Sequence, residues 1–162
     1  MAEQSTHSKR DLDPFDRAIL RIIQRDNKTP QREIAERVNL SPAAVQRRIA
    51  AMEKTGVIAT NVAVLDAHAL SVAITAVVEV HLRDERTATV DAAKRLFREC
   101  PEVQQCYYVT GGVSFVLVIA CADMRAFEVI SRKLFQGSDL VERSRSLIAL
   151  DRVKADLSLV IP

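Results

Sequence analysis

The chain has few of the residues from which covalent and metal chemistry are built. Its 162 residues include three cysteines, Cys100, Cys106 and Cys121. An odd number without a C-x-x-C pair leaves no disulfide framework and points to a reducing compartment. Cys121 sits inside an apolar run and reads as a small core residue. The three histidines, His7, His68 and His81, lie far apart and form no metal-ligand spacing, so neither metal nor cofactor is expected. There is no run of 18 apolar residues and no signal-peptide pattern; no membrane partner is expected, and the expected location is the cytoplasm. Aromatic residues are scarce, at 4%.

Net charge is also small, at +2, but it is unevenly spread. Residues 1–60 hold 11 Lys/Arg against 8 Asp/Glu, and residues 61–162 hold 12 against 13. The basic excess therefore lies at the N-terminal end, where a nucleic-acid contact would need it. It is too small for one copy to bind tightly, so oligomerisation would help through multivalency. The length suits one large or two small domains, and 48% hydrophobic residues is ordinary for a globular chain.

What the sequence does have is the stretch from Thr29 to Gly56. Thr29-Pro30 reads as a helix start, a capping hydroxyl followed by proline at the first helical position. Ile34, Ala35 and Val38 recur at helical spacing. Asn39 tolerates the left-handed conformation that ends a helix, and the position before Pro42 is disfavoured as helix. Ser41-Pro42 repeats the start signal, and a second helix runs to Lys54 with Gly56 as its stop. Two such helices joined by a short turn form a helix-turn-helix.

In the second of these helices Val45, Ile49 and Met52 fall on one face. Ala43, Arg47, Ala50 and Lys54 fall on the other, with Gln46 and Arg48 on its flanks. Small residues let a helix approach the floor of a major groove. Arginine pairs with guanine, glutamine with adenine, and alanine can touch a thymine methyl. Ser41 and the first N–H groups suit a phosphate, and Arg48 is placed nearer the DNA backbone than Arg47. Gln31 and Arg32, at the start of the first of the two helices, are counted with these as DNA-contacting candidates.

Taken in order, residues 1–11 read as a polar, disordered arm. Asp13-Pro14 opens the first helix, with Asp16 in its first turn and Phe15, Ile19, Ile22 and Ile23 as its apolar stripe. Arg17, Arg21 and Arg25 line another face. Residues 12–60 thus form a DNA-binding domain. After Gly56, VIATNVAVLD is rich in β-branched residues and reads as a strand, in the position of a wing or tether; residues 61–71 form a linker. Residues 72–162 alternate strand and helix: a strand from Ile74 to Leu82, a helix from Val90 stopped by Pro101, strands over 103–110 and 114–122 around Gly111-Gly112, a helix capped by Asp123 and stopped by Gly137, and a strand over 144–150. The tail, Val153 to Ile161, alternates as a further strand or swapped arm. The order β-α-β-β-α-β is a ferredoxin-like unit, so the fold class is α+β. Helices cover one face of such a sheet. The simplest cover for the other is a second copy, in an isologous homodimer.

The stretch LSPAAVQRRIAAMEKTGVI resembles the recognition-helix signature of the leucine-responsive and asparagine-responsive regulators, the Lrp/AsnC family. Ser41, Pro42, Val45, Arg48, Ile49, Glu53, Gly56 and Ile58 match, and Met52 replaces a leucine. YYVTG, from Tyr107 to Gly111, carries the resemblance into the second half. The resemblance implies a winged helix-turn-helix transcriptional regulator that binds double-stranded DNA, with a RAM-type effector and oligomerisation domain. It implies homodimers, often a tetramer of dimers, and an amino-acid effector bound between dimers beside the TG turn. That places Tyr108, Thr110, Gly111, Gly112 and Ser114 at the effector site, with Glu142 and Ser144 as the opposite wall. Where the family commonly shows Asp-Tyr-Asp after TG, this chain has Gly112-Val113-Ser114; Glu142 is the candidate to restore the missing negative charge. Two alternatives share the architecture. A siroheme decarboxylase-like enzyme would use Tyr107, Tyr108 and His81, and an architectural DNA-bending protein would need no effector.

Overall fold

The computed structural model describes residues 11–162. The expected N-terminal arm therefore lies, except for Asp11, outside the described residues. By its contacts the chain divides into two units, one holding the residues up to Ala63 together with Ala155–Pro162, the other Val64–Lys154.

The first unit is a three-helix head: α1 (Pro14–Ile23), α2 (Gln31–Val38) and α3 (Pro42–Lys54). Asp13 is extended, and its Oδ1 accepts the Asp16 N–H at 2.8 Å, with Pro14 in the first turn of α1. Ser41 does the same for α3, its Oγ accepting from the Ala44 N–H at 3.2 Å. Between α2 and α3, Asn39 is left-handed at φ 53°, ψ 49°, and Gly56 takes φ 73° after α3. Thr29 departs from its expected role. Its hydroxyl donates to the Asp26 carbonyl at 2.8 Å, closing the preceding turn, and α2 begins after Pro30 with no side-chain cap. Ile19, Ile34, Ala35, Val38, Val45 and Met52 form the core. Phe15, expected in the α1 stripe, is 42% exposed.

No strand follows α3. Val57 and Ile58 bend back on the head, where the Ile58 N–H donates to the Met52 carbonyl at 3.2 Å, and the residues from Ala59 to Asp66 join no sheet. The head therefore lacks wing strands among the described residues. The expected strand in the tail is likewise absent. Its end is held on the head by side chains: Gln24 donates to the Leu159 carbonyl and accepts the Leu159 N–H, both at 3.1 Å, as a neighbouring strand would. Arg17 and Arg21 donate to the carbonyls of Pro162 and Ile161 at 3.0 and 3.1 Å.

The second unit holds β1 (Ile74–Leu82), α4 (Thr87–Arg98), β2 (Val103–Tyr108), β3 (Phe115–Cys121), α5 (Met124–Ser131), a π-helical turn (Arg132–Gln136) and β4 (Val141–Ile148). The strands form one antiparallel sheet in the order β2-β3-β1-β4, as the β-α-β-β-α-β order requires. The apolar run of β3 is a central strand, since both its faces need cover. β4 begins three residues earlier than expected, at Val141, whose buried side chain joins the core before the exposed run Glu142–Leu147.

Alternation along β1 sorts the two faces. Ala76, Val78, Val80 and Leu82 are buried with Val90, Ala93 and Phe97 of α4 and Phe127 and Ile130 of α5. Thr75, Val77, Glu79 and His81 point to the other face and are only half-buried. Leu117, fully buried on β3, sits between sheet and helices. Leu117→Ala is expected to cost about 2–5 kcal/mol, as cavity-forming core truncations do, measured by urea unfolding of the intact chain.

Candidate nucleic-acid interface and ligand hairpin

Helix α3 presents two faces with opposite fates. Val45 and Met52 are fully buried. Ala43, Gln46, Arg47, Ala50 and Lys54 are exposed. Arg47 has no ion pair or hydrogen-bond partner among the described residues, so its five donors are available to base edges. Ser41 uses an oxygen lone pair to cap the helix, which leaves its O–H free to donate to phosphate. Gln31 is exposed in the first turn of α2. Arg32 is exposed too, in a surface pair with Glu36 at 3.3 Å, an interaction weak enough to exchange for phosphate.

Arg48 departs from its expected place beside the DNA backbone. Its Nη1 lies 2.6 Å from Asp13 Oδ2 and 2.8 Å from Asp16 Oδ1, and its guanidinium carbon sits 5.5 Å from the centre of the Phe15 ring. The Asp16 side chain is 1% exposed. Asp13 thus divides its carboxylate: one oxygen caps α1, the other holds α3 through Arg48. The chain spacing of more than thirty residues hides this clamp from sequence inspection; the visible signal was only two acids at the start of α1.

The clamp perturbs its members. The backbone N–H of Asp16, and then Arg48, hold the Asp13 carboxyl below its usual 3.8, and the two carboxylates raise Arg48. A carboxyl lowered in the folded state stabilises it above the unfolded pKa and loses that contribution as pH falls through the folded one. Head stability therefore falls on acidification below about pH 4. Arg48→Ala leaves Asp16 buried without its guanidinium. The expected outcome is a melting temperature lowered by about 5 °C or more and weaker binding to all DNA sequences alike. Calorimetry beside a gel shift checks both.

The residues expected at the effector site gather at one end of the sheet. Tyr108, Phe115, Val80 and Ser144 are successive cross-strand neighbours across its four strands. Thr110, Gly111 and Gly112 form the exposed turn joining β2 to β3, with Gly111 and Gly112 at φ +109° and +94°. Glu142 and Ser144 are exposed on β4, at the opposite sheet edge, about three strand spacings or 14 Å from Tyr108. The two groups therefore do not close one pocket within a single chain.

Ser114 is buried and engaged. Its hydroxyl accepts the Leu82 N–H at 3.0 Å and donates to Glu85 Oε1 at 2.5 Å, while the Tyr108 hydroxyl donates to Glu85 Oε2 at 3.0 Å. Glu85, in the β1–α4 turn, is the acid beside the hairpin, and sequence reading missed it because it looked like an ordinary turn residue. Accepting that bond, Glu85 raises the Tyr108 phenol above its usual pKa. The three residues suggested for an enzyme do not converge: Tyr107 faces the half-buried side of the sheet with His81, and Tyr108 the helix side.

Comparison with known proteins bears on both regions. Residues 12–59 match the model of a winged helix-turn-helix DNA-binding domain, and residues 75–159 match the Lrp/AsnC ligand-binding domain. An HTH-type transcriptional regulator of Sinorhizobium fredii is 34% identical over 93% of this chain and 89% of its own length. Among solved structures, an AsnC family transcriptional regulator from Agrobacterium tumefaciens superposes with a TM-score of 0.86 at 28% identity, covering 92% of this chain and 97% of that one. A transcriptional regulator from Neisseria meningitidis in complex with L-Met gives a TM-score of 0.86 at 27% identity, covering 93% and 97%. No helix among the described residues is long and apolar enough to cross a membrane.

Proposed function

Because the chain belongs to the Lrp/AsnC family of transcriptional regulators, we propose that it reads duplex DNA through Ala43, Gln46, Arg47 and Ala50 and responds to an amino acid bound near the β2–β3 turn. The observation that carries the first part is the contrast between neighbours on α3. Arg48 is spent on Asp13 and Asp16, while Arg47 is exposed and without a partner. Arg47 is the residue that meets a base, with Ser41, Gln31 and Arg32 positioning the head on phosphates.

The second part is supported by the methionine complex of the Neisseria relative and by the turn itself. Gly111 and Gly112 leave backbone N–H groups and space where a Cβ would meet nothing within 4 Å, a setting that suits a carboxylate. Glu142 and Ser144 stand too far away to complete the site in the same chain, so they serve as the wall presented to a neighbouring dimer. The open sheet face supports dimerisation. Val77, Val116 and Val118 are only half-buried there, Leu147 is 43% exposed, and Glu79 and Arg145 flank them 3.8 Å apart. A second copy covering this face gives a dimer, and dimers joined through the turn give the higher assembly. On this reading the protein is a regulator rather than an enzyme and acts in the cytoplasm.

Two measurements test this reading. A duplex is first selected for binding from a random pool. Arg47→Ala is expected to lose about 1–3 kcal/mol of discrimination between that duplex and a single-base variant, with the melting temperature unchanged. Unchanged discrimination would remove Arg47 from base reading. Gly111→Val meets no clash but must hold a conformation that L-residues avoid. It is expected to abolish any thermal stabilisation by L-methionine and other amino acids while DNA binding persists; an undiminished amino-acid response would move the pocket elsewhere.

A further inference from the structure

A cavity lies between α4 and the sheet-edge strand β2, with Tyr108, the last residue of that strand, on its wall. Its volume is about 330 Å³, within the range of small-molecule sites. The floor is apolar, built from Phe97 and Phe115, both fully buried, and Val103. Lys94 and Arg98, one turn apart on α4, form one side, and Cys106 and Tyr108 of β2 form the other.

Backbone irregularity makes the site. The pairing of β2 with β3 shifts between Val103 and Gln105. After that shift Cys106 and Tyr108 stand opposite Leu117 and Phe115, both buried beneath the helices, and so line the groove with Val103. The walls are held in place. The Tyr108 hydroxyl is tied to Glu85, and Lys94 Nζ lies 5.0 Å from the centre of the Tyr108 ring. Lys94 also pairs loosely with Asp91 at 3.7 Å. Arg98 has no partner among the described residues; burial pushes the Cys106 thiol up, and the charges of Arg98 and Lys94 act against that rise.

Among the described residues no aspartate or glutamate lines the cavity. An anionic head would meet Arg98 and Lys94, and an apolar body would cover Phe97 and Phe115. An ammonium group would face the two cations, with Asp91 already paired with Lys94 and Glu85 already bonded to the Tyr108 hydroxyl. We propose that this groove binds a small carboxylate with an apolar body and no amine, at a site that shares Tyr108 with the amino-acid turn but is otherwise built from other residues. The discrimination runs against zwitterionic amino acids, because placing their ammonium beside Arg98 is repulsive and leaves it unpaired.

Cys106 reports on occupancy directly, because it is exposed whereas Cys100 and Cys121 are buried. The full-length chain is labelled with a neutral disulfide reagent, dithiodipyridine, with and without 3-phenylpropionate. At about ten times its dissociation constant the acid is expected to slow Cys106 labelling roughly tenfold, as occupancy requires. The same concentration of 3-phenylpropan-1-ol, which lacks the charge, or of phenylalanine, which adds the amine, is expected to leave the rate unchanged. Arg98→Gln and Arg98→Ala are expected to remove the protection with little change in melting temperature, since Arg98 is exposed. Equal protection by the alcohol or by phenylalanine, protection that survives both Arg98 variants, or no protection by the acid would each overturn the proposal. None of these readouts uses DNA, so the result is independent of the regulator reading.

Discussion

The head depends on one shared arginine. Arg48 reaches from the middle of α3 to the carboxylates of Asp13, which caps α1, and Asp16 in its first turn, and the second of these is buried. A buried charge pair contributes little net stability compared with apolar packing, but it is costly to break and specific in geometry. Apolar contacts among Ile19, Val45 and Met52 would tolerate small rotations of α3 about its axis. The two hydrogen bonds from a planar guanidinium do not. They set which residues of α3 face outward, and so fix Ala43, Gln46, Arg47 and Ala50 as the exposed row. Two adjacent arginines with the same chemistry thereby take different roles, one setting the helix and the other free to read.

The second unit rests on a different constraint, the asymmetry of its sheet. Two helices cover one face with Phe97, Phe127 and Ile130, and the other face is left half-buried. The glycine turn and the groove under α4 both lie along the β2 side of the sheet. Edge strands carry turns, bulges and incomplete cover, and β2 has all three: the glycine turn after Tyr108, the register shift at Gln104, and the groove beneath α4.

Much of this was legible in the chain itself. Strong local signals transferred well: Asp13-Pro14, Ser41-Pro42 and Asp123 start helices where expected, Asn39 and Gly56 take positive φ, and the alternation over 74–82 assigns the faces of β1 correctly. What misled was propensity without a partner. Val57 to Asp66 and Val153 to Ile161 have the composition of strands, yet a strand exists only beside another, and sequence cannot show whether a neighbour is present. Thr29 failed as a cap because α2 starts one residue later than expected, with Pro30 in the cap position, and the Thr29 hydroxyl turns back to the Asp26 carbonyl. The candidate DNA face was readable from helical periodicity, apart from Arg48, whose partners lie in another helix. The β2–β3 turn was readable from Gly111-Gly112, but Glu85 beside it was not, since its contacts come from the fold placing a turn residue against Ser114 and Tyr108.

The central claim is that the exposed row of α3 enters the groove of bound DNA. A cysteine at Ala50, in a Cys106→Ser background, can carry an iron–EDTA cleaving group onto an end-labelled duplex selected for binding. With α3 in the major groove, strand cleavage will cluster within each contacted half-site, and the same group on Glu128 of α5 will give none. Cleavage from Glu128 equal to that from Ala50, or diffuse cleavage along the whole duplex from Ala50, would show that this helix does not read DNA.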